Sequence, residues 1–143
     1  MPVLTLEQIT TTPTATTKDE AIQEAAGMLV AAGAVTTDYA DAMRERESSV
    51  STYMGNLLAI PHGTNESKDA ILDSALSVAR YETPLDWDGN PVKFVIGIAG
   101  KDGGHLEILS KIAIVFADED EVAKLEAAPD AAAILELLGD VNE

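Results

Sequence analysis

The segment KFVIGIA, residues 93–99, is apolar at nearly every position. A strand with one face in water alternates apolar and polar residues, whereas a nearly continuous apolar run is typical of a central strand covered on both faces. A second segment, SALSVARY at residues 74–81, has the pattern of a half-buried strand. Segments with helical spacing lie before and after this pair, and strands interleaved with helices favour one mostly buried sheet with helices packed against it. We therefore predict an α/β domain.

A capping box predicts where the first helix begins. The Thr17 hydroxyl can accept a hydrogen bond from the Glu20 amide, and the Glu20 carboxylate can reach back toward the helix start. Apolar residues then recur at helical spacing, at Ile22, Ala25, Ala26 and Leu29. Gly33 can take the left-handed conformation that ends a helix. We expect one face of this helix to pack and the other to be solvated.

Helical spacing recurs further along the chain. A second short helix is predicted from the positions Tyr39, Ala42, Met43 and Arg46, so that the arginine continues an apolar stripe. A third helix is predicted after the pair Gly103-Gly104, with His105 at or near its N-terminus. Its apolar positions are Leu106, Leu109, Ile112, Ala113 and Phe116. The segments ADEDE and PDAAAILELLGD are predicted to open two more short helices.

Two segments are predicted to be non-helical. TYMGNLLAIPHG, residues 52–63, is expected to form an extended stretch around Gly55 that ends at Pro61, because proline cannot donate to a β-ladder. His62 then lies at the end of a strand. ETPLDWDGNP, residues 82–91, is rich in turn residues and is predicted to be a loop between the two strands.

Composition limits the classes of function. At 143 residues, the chain is expected to form a single domain, residues 1–143. Nine basic and 25 acidic residues give a net charge of −16, which repels nucleic-acid phosphates and anionic lipid, so we expect no nucleic-acid partner. With no cysteine, the chain has no disulfide, thiolate nucleophile or Cys-ligated zinc. It shows neither a secretory signal pattern nor about 18 consecutive apolar residues, and a cytoplasmic location is expected.

Both histidines lie at predicted element boundaries, where α/β sheets often build their sites. An imidazole can act as a nucleophile, a base or a metal ligand at cellular pH. Pro61 restrains the chain before His62, and Gly63 removes side-chain bulk after it. Residues 64–66 could cap a short helix and direct amide N–H groups toward an anion. An ordinary Pro-His-Gly turn explains His62 equally, and a simple helix-start residue explains His105.

Arg46 is a further candidate because a guanidinium on an apolar stripe keeps its charge and must find an anion or water. An ion pair with Glu47 or another surface carboxylate is the structural alternative to a site role. The acidic clusters at residues 118–120 and around Trp87 are interpreted as solvated surface, and no site is assigned to them.

These residues lie within a recognisable series of motifs. The segments DYADAMRERESSVSTYMGNLLAIPHGT, KDAIL, VKFVIGIAG and HLEILSKIAIVF occur in this order. The series resembles the mannitol/fructose-type enzyme IIA domains of the bacterial sugar phosphotransferase system. The similarity runs from about Thr17 to Gly139, and the PHGT sequence is more similar to the mannitol members. The resemblance implies a mixed β-sheet flanked by α-helices on both sides.

The resemblance also implies roles for three residues. His62 matches the histidine that accepts a phosphoryl group from phosphorylated HPr and passes it to a cysteine of a IIB domain, which serves the IIC membrane permease. Arg46 matches the arginine that stabilises the phosphoryl group, and His105 matches a second active-site histidine. No cofactor or metal is expected, because phosphoryl transfer depends mainly on positioning and charge stabilisation.

Two other functions stay open from the sequence. A regulatory module could use the same phosphohistidine to signal to a protein partner. A small metal-dependent hydrolase could use His62, His105 and carboxylates, although the two histidines do not form an H-x-x-x-H pair.

Overall fold

The computed structural model describes residues 3–64, 69–101 and 105–142, without the side chains of His105 and Asp140. Its strands are β1 (Ile9–Thr10), β2 (Tyr53–Gly55), β3 (Leu58–Ala59), β4 (Ala75–Trp87) and β5 (Asn90–Ala99). Its helices are α1 (Lys18–Ala31), α2 (Tyr39–Ser49), α3 (His105–Phe116), α4 (Glu119–Ala127) and α5 (Ala131–Leu137).

The strands form one mixed sheet in the order β1-β4-β5-β3-β2. The pairs β4–β5 and β2–β3 are antiparallel, whereas β1–β4 and β3–β5 are parallel. Helices α1 and α2 pack on one face in one apolar cluster, and α3, α4 and α5 pack on the other face in a second cluster. The predicted α/β fold, with a mixed sheet flanked by helices on both sides, is confirmed.

Helix α1 begins and ends as its sequence predicts. The Thr17 hydroxyl accepts from the Glu20 amide at 3.2 Å. The Glu20 carboxylate accepts from the Thr16 amide, and this hydrogen bond is the main cause that lowers the pKa of Glu20. Gly33 has a φ of +76°, and the Ala34 amide donates back to Leu29. Both ends are therefore determined by local side-chain and backbone chemistry.

The segment at residues 52–63 differs from the prediction of one extended stretch. Gly55, Asn56 and Leu57 have φ angles of +86°, +48° and +72°, and they reverse the chain into a β2–β3 hairpin. Asparagine and glycine tolerate the left-handed region, which is why they favour two-residue hairpin turns. The Asn56 side chain also donates to the Phe116 carbonyl at the end of α3.

The predicted loop at residues 82–91 is wrong. Strand β4 continues to Trp87, and only Asp88 and Gly89, with φ angles of +55° and +92°, form the turn into β5. An Asp-Gly pair is a strong signal for a tight hairpin. Pro84 lies where the β4–β5 register shifts, a position that tolerates the missing N–H. The first half of β4, predicted to be half-buried, is buried on both faces over residues 75–79.

Helix α3 buries most of the predicted apolar stripe, but not its first residue. Ile112 and Phe116 are buried as predicted, and Leu109 packs against the same core. Ile108, which the prediction did not include, is also buried, whereas Leu106 is 67% exposed. Leu106 precedes Ile108 by two residues, which is about 200° around a helix, so the two side chains cannot share a face.

A close approach between α1 and the sheet depends on Gly97. A Cβ atom there would lie 2.6 Å from the Ser77 hydroxyl and 3.1 Å from the Ala25 Cβ, while Ser77 donates to the Ala25 carbonyl. We expect Gly97→Ala to lower the free energy of unfolding by about 2 kcal/mol, measured by chemical denaturation. Gly27→Ala is the matched control, because a Cβ at this exposed position meets no heavy atom within 4 Å and alanine favours the helix. Equal losses in the two variants would contradict the packing argument.

Candidate active site

His62 extends the pairing of β3 with the central strand β5. The Ile98 amide donates to the Pro61 carbonyl at 3.0 Å, and His62 forms a parallel β-bridge with Ile98. Pro61 is buried, and His62 is half-buried. The sequence predicts His62 at the end of a strand; β3 itself ends at Ala59, and His62 lies three residues beyond it in an isolated bridge to β5.

The His62 ring is held by its own backbone. Its Nδ1 atom lies 2.8 Å from the Ile60 carbonyl oxygen. A carbonyl oxygen can only accept, so Nδ1 carries the proton in this contact. In the neutral ring the basic lone pair then lies on Nε2. The geometry thus distinguishes the two ring nitrogens, which the sequence did not do.

Tyr39, at the start of α2, connects the histidine turn to strand β5. Its hydroxyl donates to the Ile98 carbonyl at 2.6 Å and accepts from the Gly63 amide at 2.9 Å. The side chain is 1% exposed. Burial raises the pKa of Tyr39, and the hydrogen bond from Gly63 opposes this shift. The helical stripe predicted that Tyr39 is buried, but nothing in the pattern indicated where its hydroxyl goes.

Arg46 lies near the other end of α2 and is half-buried, as the predicted stripe implies. Its Nη1 atom donates to the Val50 carbonyl at 2.8 Å, which places a cation at the helix C-terminus. Within the described ranges, Arg46 forms no ion pair with a carboxylate.

Glu47, the expected alternative partner of Arg46, is instead buried and 5% exposed. Its carboxylate accepts from the amide and hydroxyl of Thr52 and from the Trp87 indole, and Lys18 approaches it to 3.4 Å. Burial favours the neutral acid, but the Thr52 hydrogen bonds, the Trp87 hydrogen bond and the Lys18 charge outweigh it and lower the pKa of Glu47. The structure thus contradicts the prediction that Glu47 is a surface carboxylate.

A series of hydrogen bonds connects Glu47 to the histidine. Glu47 holds the Thr52 backbone, the Thr52 carbonyl accepts from the Ile60 amide, and the Ile60 carbonyl contacts His62 Nδ1. The end of α2 and the histidine turn are therefore fixed to the same short ladder.

Several predicted features fall partly or wholly outside the described residues. His105 is the first residue of α3, as predicted, but its side chain is not among the parts of the chain that the structure describes. Gly103 and Gly104 lie outside the described residues. Asn65 and Glu66, which were expected to cap a short helix after the turn, also lie outside them.

The acidic clusters mostly serve local structure. Asp118 caps α4 by accepting from the Asp120 amide, and Asp88 pairs with Lys18 at 2.7 Å. Among the residues that the structure describes, no group of three or more His, Asp or Glu side chains is placed to hold a metal ion. No described helix has the length and apolar character needed to cross a membrane.

Known proteins are similar to this chain in both sequence and fold. The chain is 49% identical over 141 residues to the mannitol-specific phosphotransferase enzyme IIA component of Halalkalibacterium halodurans, covering 99% of this chain and 97% of the relative. It is 41% identical to the Bacillus subtilis protein of the same name, and the match covers 99% of this chain and 100% of the relative. The Escherichia coli enzyme IIAMtl, solved in complex with phosphorylated enzyme IIBMtl, superposes with a TM-score of 0.89 at 31% identity, and the match covers 96% of this chain and 97% of that chain.

The family model described as phosphoenolpyruvate-dependent sugar phosphotransferase system, EIIA 2, matches residues 2–141. This match spans nearly the whole chain, including the N-terminal segment before Thr17. The resemblance found in the sequence motifs is therefore confirmed. The chain belongs to the EIIA 2 family of the sugar phosphotransferase system and is a phosphotransferase component of that system.

Proposed function

We propose that this protein is a phosphocarrier for mannitol uptake, with His62 as the phosphoryl acceptor. Phosphorylated HPr is the donor, and a cysteine of a IIB domain or subunit is the next acceptor. The observation that carries the proposal is the contact between His62 Nδ1 and the Ile60 carbonyl, because it places the proton on Nδ1 and makes Nε2 the basic nitrogen of the neutral ring. The mannitol assignment is supported by the names of the relatives at 49% and 41% identity.

The chemistry consists of two displacements at phosphorus. The Nε2 lone pair of His62 attacks, an N–P bond forms, and the bond between phosphorus and the donor breaks, with its electron pair returning to HPr. The thiolate of the IIB cysteine then attacks the same phosphorus, and the electron pair of the N–P bond returns to His62. Each step needs in-line positioning and stabilisation of charge on the phosphoryl oxygens.

We assign Arg46 to the stabilisation of the phosphoryl oxygens. The protein carries a net charge of −16, so a phosphoryl group needs a local positive charge. Arg46 precedes Glu47, whose hydrogen bonds lead through Thr52 and Ile60 to His62. A guanidinium has five N–H donors, and its contact with the Val50 carbonyl engages Nη1. The planar group can keep this contact while it directs other donors to the phosphoryl group.

Arg46→Lys should slow phosphoryl transfer about tenfold or more, because lysine keeps the charge but loses the planar fork. The rate is measured by rapid quench with phosphorylated HPr. Arg44→Lys is the matched control: Arg44 lies on the same helix and pairs with Asp19 and Asp41 at the surface. Equal rates in the wild type and Arg46→Lys would count against the assigned role.

We assign His105 to the lining of the same site, because it opens α3, which follows the β5 strand that pairs with His62. The IIB acceptor serves a IIC membrane permease, so a phosphocarrier of this kind works in the cytoplasm. Two exposed apolar side chains are available for contact with protein partners: Val50, which follows α2 and is 64% exposed, and Leu106 on α3, which is 67% exposed.

A regulatory module that signals through the same phosphohistidine is the alternative. Purified protein is added to membranes that contain the IIB and IIC components for mannitol but no IIA, together with enzyme I, HPr and phosphoenolpyruvate. Restored mannitol phosphorylation supports the transport role. No restoration, together with phosphorylation-dependent binding to a regulator, would favour signalling.

A further inference from the structure

A side-chain hydroxyl connects β5 to the histidine turn. In a parallel ladder, the Ile98 carbonyl faces the amide of the residue after His62, which is Gly63. The Tyr39 hydroxyl binds both of these groups: it accepts from the Gly63 amide at 2.9 Å and donates to the Ile98 carbonyl at 2.6 Å. The phenol thus adds a side-chain connection beside the bridge between His62 and Ile98.

The backbone is attached to β5 on both sides of His62. Before the histidine, the Pro61 carbonyl accepts directly from the Ile98 amide at 3.0 Å. After it, two hydrogen bonds through the Tyr39 hydroxyl connect Gly63 to Ile98. The attachment after His62 therefore includes a side chain of α2.

We propose that Tyr39 is a positioning residue for phosphoryl transfer and that its hydroxyl sets the orientation of the His62 ring. This inference rests on the proposed function of His62. The phenol is suited to the role because it is 1% exposed and packs in the apolar cluster between α1, α2 and the sheet. A rigid ring held in this way delivers its hydroxyl to a fixed point.

The position of Tyr39 on α2 adds a second consequence. Arg46 follows Tyr39 by seven residues, which is two turns of the same helix, so both residues lie on one stripe. Helix α2 thus contacts the Gly63 amide through Tyr39 and the Val50 carbonyl through Arg46. One rigid element holds both the histidine turn and the cation assigned to the phosphoryl group.

Tyr39→Phe tests the inference, with Tyr81→Phe as the matched control. Tyr81 is 4% exposed in the same apolar cluster, and its hydroxyl donates to Glu24. Each variant loses one phenol hydroxyl and its hydrogen bonds. We expect Tyr39→Phe to slow phosphorylation by phosphorylated HPr about tenfold, whereas Tyr81→Phe keeps the wild-type rate. Equal rates in the wild type and Tyr39→Phe, or equal slowing in both variants, would overturn the proposal.

A spectroscopic measurement separates positioning from a general loss of stability. In ¹⁵N NMR spectra of the unphosphorylated protein, the fraction of His62 protonated at Nδ1 is expected to fall in Tyr39→Phe and to stay unchanged in Tyr81→Phe. An unchanged fraction in Tyr39→Phe would contradict the inference. This measurement needs no phosphoryl donor. It therefore tests whether Tyr39 orients the His62 ring even if phosphate labelling shows that His62 is not the acceptor.

The wild-type protein provides a test that needs no variant. The Tyr39 hydroxyl proton is expected to exchange slowly with water and to show a nuclear Overhauser effect to the Gly63 amide proton. A rapidly exchanging hydroxyl proton would contradict the hydrogen bonds that connect Tyr39 to Gly63 and Ile98, whether or not Tyr39→Phe folds.

Discussion

Replacing His62 with alanine is expected to abolish phosphoryl acceptance. When wild-type protein is incubated with enzyme I, HPr and radiolabelled phosphoenolpyruvate, it should take up label, and His62→Ala should remain at background. The physical reason is that alanine removes the imidazole nitrogen that is proposed to form the bond to phosphorus. Undiminished labelling of His62→Ala would remove both the site and the proposed function.

His105→Ala provides the comparison for this experiment. It leaves the proposed acceptor in place, so label from phosphorylated HPr should still enter the protein. We expect its onward transfer to IIB to be slower than in the wild type, measured as loss of label after IIB is added. An unchanged onward rate would assign His105 a structural role at the start of α3.

Replacing Glu47 with glutamine is expected to lower the free energy of unfolding by about 3 kcal/mol at neutral pH. The buried carboxylate accepts three hydrogen bonds, from the Thr52 amide, the Thr52 hydroxyl and the Trp87 indole, and it faces Lys18. In glutamine, an NH2 group replaces one of the two acceptor oxygens, and the charge that Lys18 faces is lost. The NH2 group would then face the N–H or O–H donors of Thr52 or Trp87. Chemical denaturation followed by tryptophan fluorescence measures the loss.

The decrease in the free energy of unfolding that Glu47→Gln causes should depend on pH. The pKa of Glu47 is lowered in the folded protein, so the carboxylate contributes its full stabilisation above the pKa of the unfolded chain, about 4.3. That contribution disappears as the pH falls through the lower pKa of the folded state. The difference between wild type and Glu47→Gln should therefore be constant from pH 7 to about pH 5 and shrink below about pH 4.

Glu45→Gln is the control for this pH dependence. Glu45 lies two residues earlier on α2 and is exposed. Its replacement should change the free energy of unfolding by less than about 0.5 kcal/mol at each pH. A similar pH profile for the two variants would show that net charge, rather than the buried carboxylate, causes the effect.

Local chemistry explains which parts of the fold could be predicted. Helix α1 has a capping residue, a regular apolar stripe and a glycine stop, and α2 has the stripe that contains Tyr39 and Arg46. The run at residues 93–99 indicated the buried central strand β5. These features depend on neighbours within one or two turns or along one strand, so the order of residues is sufficient to show them.

The errors arose where distant pairing decides the outcome. Residues 82–87 carry turn-forming side chains, yet they belong to β4 because β5 pairs with them after the tight Asp88-Gly89 turn. Leu106 matches a helical stripe but is exposed, because the face of α3 that meets the sheet carries Ile108 and Ile112. Propensity and periodicity cannot select among faces or pairings that tertiary contacts decide.

The sequence by itself determined the fold class, the family and the candidate residues His62, Arg46 and His105, because motif order and hydrophobic spacing are properties of the chain. Only the tertiary structure decided which imidazole nitrogen contacts the backbone, that Glu47 is buried, and that the Tyr39 hydroxyl links Gly63 to Ile98. The first is a contact between His62 and Ile60, two residues apart, whereas the Glu47–Trp87 contact and the Tyr39 contacts join residues from different elements. The hydrogen bonds between elements exist only when the sheet register and the packing of α2 bring the partners to about 3 Å, the length of a hydrogen bond.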